Sequence, residues 1–236
     1  MHANRTVIAY AAGIATAFIA IAAGSALADM QNTNFDQITV HRINLVEPDG
    51  TLRMTIADKA EFPGIIVKGK EFPHASRNDV AGMIFFNDEG TENGGLIFSG
   101  FSKDGHSESS GHLSFDQYEQ DQVVTLEQGE ADGKRNAGLT IDDRPDAPID
   151  FAAISRIESM AAGPDKTAAI QKLIASGQAG HKRLFIGKDT DKDSLVNLRD
   201  GQGRTRLVLD VTANGDASIR FLDAQGKVVR VIGPAK

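Results

Sequence analysis

The sequence predicts a mainly β domain, built as a β-hairpin meander, small barrel or hairpin stack, with an inserted αα-hairpin and an N-terminal hydrophobic targeting helix. Three observations lead there. The first 28 residues carry one Arg and no acid, a hairpin pattern recurs along the rest of the chain, and the stretch at about 150–176 has helical periodicity.

The targeting segment comes first. Arg5 and the amino terminus form a short positive region, and the 22 residues from Val7 to Ala28 hold no charge. The segment ends Gly24-Ser25-Ala26-Leu27-Ala28, with small residues at the two positions a signal peptidase reads. Ten of the 22 are Ala, which adds almost nothing to insertion. Roughly seven strongly apolar residues contribute about −0.3 to −0.6 kcal/mol each, and Tyr10, Gly13, Thr16, Gly24 and Ser25 offset much of that. A balance near zero favours a cleaved signal peptide over the alternative, a retained signal anchor, for which 22 uncharged residues are long enough. Either way residues 1–28 direct export. Residues 29–236 are then expected to be a single extracytoplasmic domain, periplasmic or secreted, or tethered by one transmembrane helix.

The hairpin pattern follows. Ile43, Leu45, Glu47, Gly50, Arg53 and Ile56 share their spacing with Val196, Leu198, Asp200, Gly203, Arg206 and Leu209. Ile219, Phe221, Asp223, Gly226, Val229 and Ile232 repeat it once more, with Val229 in the Arg position. Alternating apolar residues mark a strand with one buried face. The acidic residue then opens a turn by accepting backbone N–H groups, and the Gly three later supplies a positive φ. Degraded copies run from Met83 through Gly90 to Phe98, and from Val123 through Asp132-Gly133 to Ile141. The 23-residue spacing of the last two full copies occurs once, so a regular solenoid is not expected.

Between the β regions, Asp150 is placed to cap a helix carrying Phe151, Ile154, Ile157 and Met160 on one face. Gly163 breaks it and Pro164 opens a second helix carrying Ala169, Ile170, Leu173 and Ile174. The pair is expected to cover a face or edge of the sheet. The strings Arg42 to Glu47 with Asp49 to Arg53, Ala81 to Leu96, and Phe115 to Gln122 resemble a family of uncharacterised bacterial proteins with an N-terminal hydrophobic segment. The resemblance implies a bacterial exported origin and carries no activity.

Composition excludes several function classes. The net charge is −7, and −8 once the first 28 residues are removed, a sign that repels phosphate backbones and anionic lipid heads. Nucleic acid is therefore not an expected partner, and the membrane is one only through an uncleaved N-terminal segment. The absence of Trp argues against aromatic stacking platforms. The absence of Cys removes disulfides, thiolate chemistry and the lipoprotein route. No phosphate-binding loop, dinucleotide fingerprint or G-x-S-x-G nucleophile motif occurs in a suitable context, so no cofactor is expected.

Four groups of residues invite a chemical reading. Asp189, Asp191, Asp193 and Asp200 imitate calcium-loop spacing, but Ser194 and Asp200 stand where such a loop has Gly and Glu. A polar hairpin tip explains them as well. His106, Glu108, His112 and Asp116 form the densest set of nitrogen and oxygen ligands, in a segment, Ser102–Gly111, with a loop's composition. The stretch Asp88 to Gly95 is either a binding rim or a hairpin connection. Asp116, Glu119 and Asp121, beside Tyr118, offer a carboxylate pair of the kind glycoside hydrolysis needs. The leading expectation is a non-enzymatic exported protein with a structural or binding role toward a protein or envelope component. The alternative is an extracytoplasmic hydrolase with a carboxylate or metal site built from His106, His112, Asp116 and Glu119.

Overall fold

The computed structural model describes residues 34–74 and 77–234. The chain divides into two compact units, Met1–Val40 and His41–Lys236. The targeting segment, residues 1–28, lies outside the described residues. Residues 34–40 of the first unit are irregular. No helix among the described residues is long and apolar enough to cross a membrane.

The second unit is built on a 12-stranded antiparallel meander. Its strands are β1 (Arg42–Val46), β2 (Leu52–Ala57), β5 (Ala81–Phe86), β6 (Glu92–Lys103), β7 (His106–Asp116), β8 (Gln122–Ala131), β9 (Lys134–Asp143), β10 (His181–Lys188), β11 (Ser194–Arg199), β12 (Thr205–Val211), β13 (Ala217–Leu222) and β14 (Val228–Ile232). Each pairs with its neighbours in that order, so the sheet is open, with β1 and β14 at its edges. A small hairpin, β3 (Ile65–Val67) and β4 (Lys70–Phe72), interrupts the passage from β2 to β5. Two helices, α1 (Phe151–Ser159) and α2 (Pro164–Ala175), separate β9 from β10.

Turn chemistry sets this order. In the three full copies the fourth residue donates back to the first, as Gly50 does to Glu47, Gly203 to Asp200 and Gly226 to Asp223. The Asp200 carboxylate accepts from the N–H groups of Gln202 and Arg204, and Asp223 accepts from Gln225 and Lys227. Asn87 and Asp189 cap their own turns the same way. Lys68-Gly69, Asp104-Gly105 and Asp132-Gly133 have two successive positive φ angles, the geometry of a tight hairpin turn. The helices begin where expected: Asp150 accepts from Ala153 N–H at 2.9 Å, and Pro164 occupies the first turn of α2.

Period-two alternation then separates the two faces. Following the register from strand to strand, one row reads Ile43, Ile56, Met83, Leu96, Leu113, Leu126, Leu139, Ile186, Val196, Leu209, Ile219, Ile232. Every residue in it is apolar. A parallel row two positions away runs from Leu45 through Phe85, Phe115, Leu184 and Leu207 to Phe221 and ends on Arg230. The opposite face carries Asn44, Thr55, Ile84, Gly95, Ser114, Thr125 and Thr140 in register, then Phe185, Asn197, Val208, Arg220 and Val231.

The core lies on the polar face. The β3–β4 hairpin packs Ile66 onto Ile84 and Phe86, flanked by Leu52, Phe62 and Ile97. It is held there by the N–H of Lys68 on Thr91 and the N–H of Gly69 on the carbonyl of Gly90. Phe151 of α1 stacks on Phe72 at 6.4 Å. The alternation in the hairpin pattern thus marks the faces as expected but not which one the chain buries. No residue of the Ile43–Ile232 row is buried, and Leu126 is 54% accessible.

Candidate functional site

Two features of the sheet are candidates for function, one on each face. On the polar face, a cleft of about 380 Å³ opens between β5–β8, the β3–β4 hairpin and α1. Glu92, His112, Asp116 and Asp121 line it with Arg77 and Ile154. A second cleft of about 300 Å³ shares His112 and Gln122 with the first and extends to Thr140, Asp142, Arg144 and Lys182.

Cations engage most of the cleft's carboxylates. Arg77 grips Glu92 with two hydrogen bonds, at 2.6 and 2.7 Å, and donates a third to the carbonyl of Gly64. Glu92 also accepts from Ile66 N–H, so this pair ties the small hairpin to the sheet. Glu119 meets Lys68 at 2.6 Å. Asp121 lies 3.6 Å from Arg144, whose guanidinium also donates to the carbonyls of Gln122 and Ala179.

Asp116 stands apart from these pairs. Its Oδ1 is buried without a hydrogen-bond partner, as are His112 Nε2 and Thr140 Oγ1. Burial pushes the Asp116 carboxyl up to about 7, reinforced by the negative charges of Asp121 and Glu92. Near neutral pH it is therefore about half protonated, in a cleft whose other carboxylates are compensated. Burial also raises Asp142 in the neighbouring cleft.

The sequence-predicted ligands are only partly brought together. His106, Glu108, His112 and Asp116 all lie on β7, which is a continuous strand and not a loop. The chain reverses earlier, at Asp104-Gly105, so the two histidines do not meet across a turn. Six strand residues separate them by about 20 Å. His106 pairs with Asp132 at 3.2 Å at the far end of the hairpin, and Glu108 is exposed. His112, Asp116, Glu119 and Asp121 do reach the same cleft.

The acidic run near 190 is a hairpin tip. Asp189 caps its own turn, Asp193 accepts from Ala213 N–H, and Asp200 sits at the other end of β11, about 20 Å away. Among the described residues, no three His, Asp or Glu side chains converge as a metal site. Asp88 to Gly95 forms the β5–β6 turn and the start of β6, with Asn87 capping it. Glu92 alone of that stretch lines the cleft with a charge. Arg77, Asp142 and Arg144 were not legible as site residues, because the chain crossings that bring them in leave no local signature.

On the apolar face, strands β10–β14 enclose a groove of about 560 Å³ lined by Ile186, Val196, Leu209, Val211, Ile219 and Ile232. Farther along the same face, Phe98, Phe115 and Leu126 are each at least half exposed. Single exposed apolar residues are ordinary. A row unbroken through 12 strands is not. No protein-family model and no curated protein matches the chain.

Proposed function

We propose that this chain is an exported, non-enzymatic protein of the cell envelope or secreted space, whose work is to bind through the apolar face of its sheet. The observation that carries this reading is the apolar row from Ile43 to Ile232, in which no residue is buried and Ile43, Leu126, Ile186, Leu209 and Ile232 are exposed, an arrangement that costs solvation free energy in water and gains it when covered. The N-terminal hydrophobic segment supports the exported location. The test is made in the cells that produce the protein. Val196→Arg should leave the extracytoplasmic fraction unchanged but reduce the size of the native particle containing the chain in a gentle extract. A particle of unaltered size, or retention of the chain in the cytoplasm, sinks the reading.

A second reading is favoured by one specific observation, the buried Asp116 carboxyl, raised to about 7, in a cleft beside Asp121. A neutral carboxylic acid next to an ionised one is the acid–base arrangement of glycoside hydrolysis. On this reading Asp116 protonates the leaving oxygen and Asp121 acts on the opposite side. Asp116→Asn should then abolish turnover across a panel of aryl glycosides and polysaccharides, with the fold intact. Absence of turnover by the unaltered protein removes this reading. It ranks second because Arg144 already engages Asp121, and Glu92 is fully committed to Arg77.

A further inference from the structure

We infer that the polar-face cleft binds a small primary amine, with its ammonium on Asp116 and its apolar body against α1. The inference needs neither the apolar face nor turnover, so it stands apart from both readings above.

The charges of the cleft are the first argument. Arg77 is closed on Glu92 and Glu119 on Lys68, each at 2.6 Å. Asp121 faces Arg144 at 3.6 Å, and His74 meets Glu158 at 2.8 Å. Asp116 lines the same cleft, yet its Oδ1 is buried and accepts no hydrogen bond among the described residues. At this carboxyl the negative neighbours Asp121 and Glu92 outweigh Arg77 and Arg144, so the local field invites a positive charge. A buried carboxylate without a partner is costly, and an ammonium supplies both the missing charge and the missing donor.

Shape is the second. The cleft holds about 380 Å³, at the small end of ligand pockets. Ile65, Ile84 and Ile97 line one part of it, and Ile149, Phe151 and Ile154 another. Such walls take an apolar body. A bare metal ion fits less well, because among the described residues no three His, Asp or Glu side chains converge to hold it. An ammonium on an apolar stem asks only for one carboxylate and a wall for the stem.

Unmet hydrogen bonding is the third. His112 lines the cleft from the same strand as Asp116, and its Nε2 is also buried without a partner. Buried polar groups are hydrogen-bonded as a rule, so two exceptions in one cleft point to a ligand. Where Asp116 holds its proton, binding expels it: the carboxyl O–H breaks, the proton passes to solvent, and the carboxylate pairs with the ammonium.

Titration calorimetry on the purified full chain tests this, with phenethylamine as probe and phenethyl alcohol as its uncharged counterpart. At pH 8 the amine should saturate a single site, about tenfold or more tighter than the alcohol. Asp116→Asn keeps the shape and removes the charge, and should erase that preference with circular dichroism unchanged. Lowering the pH from 8 to 6 should weaken amine binding about tenfold, as Asp116 takes up its proton. Glu92, Asp121, Arg77 and Arg144 act on Asp116, and His74 and His112 also face the cleft. The pH response should therefore persist in His74→Gln and in His112→Gln. Absence of saturable amine binding, equal binding of the alcohol, or a preference that survives Asp116→Asn overturns the inference. So does a pH response that either His substitution removes. The comparison of amine with alcohol needs no variant, so it decides the matter even where Asp116→Asn fails to fold.

Discussion

The two faces of the sheet are finished differently. The polar face is covered by its own chain: the β3–β4 hairpin, α1 and Arg144 close over a row in which Thr55, Ser114, Thr125 and Thr140 are all buried. The apolar face receives no such cover from the second unit and still carries the larger hydrophobic surface. Small hydroxyl side chains pack closely under short elements, and Thr55 also donates to Asn44 at 3.0 Å, whereas the Thr140 hydroxyl is left without a partner. The wide apolar row needs a partner as broad as the sheet, which no 12-residue helix supplies. Burial in this molecule is therefore assigned by what each face can recruit, and hydrophobicity alone does not locate the core.

The sharpest way to probe the covered face is its one uncompensated acid. Asp116 titrates near 7 in the folded chain and near 3.8 as an unperturbed group. Between those values the folded state keeps a proton the unfolded state has lost, so this group's contribution to stability falls as pH rises from about 4 to about 7 and is constant outside that window. Asp116→Asn should match the unaltered chain in unfolding free energy at pH 3.5 and exceed it at pH 8 by on the order of 4 kcal/mol, read from denaturant titrations. An equal unfolding free energy at both pH values would mean that Asp116 is not held neutral.

The next effect compares the faces directly. Ile84→Ala beneath the small hairpin should cost about 3 kcal/mol whatever the protein concentration, because the cavity lies within one chain. Leu126→Ala on the apolar face should cost under about 1 kcal/mol in the purified chain, because the side chain is already 54% accessible. Equal losses at the two positions would erase the distinction between the faces.

The smallest effect serves as a control belonging to neither face. Gly226 has φ +80° and open space where a Cβ would stand, so Gly226→Val should cost about 1 kcal/mol through backbone strain alone. A neutral result by thermal unfolding would contradict the turn assignment.

Much of the fold was legible because its turns are chemically explicit. Asp200 and Asp223 announce their turns by residue type, whereas at the first copy Asp49 accepts the backbone N–H of Thr51 and Glu47 instead meets Arg53. Asp150, Gly163 and Pro164 delimit the helices. Ser102–Gly111 was not legible, because the run holds no large apolar residue and so gives no alternation. Its strand state comes from pairing, such as Ser99 with Ser110 at 2.8 Å between side chains. The cleft was half legible: Asp116, Glu119 and Asp121 lie close in sequence, whereas Arg77 and Glu92 meet only once the small hairpin folds over.

The meander order also bears on how this chain reaches its native state. Each strand of the large sheet hydrogen-bonds to the strands before and after it, and among the described residues one hairpin and one helical pair interrupt that order. Closing such contacts takes short loops, so ordering can begin at any well-made turn and spread outward strand by strand. The same economy applies over evolutionary time. A duplicated hairpin would lengthen the sheet by two strands without re-threading anything, and the matching patterns at Glu47, Asp200 and Asp223 place the same two-strand unit at both ends of the sheet.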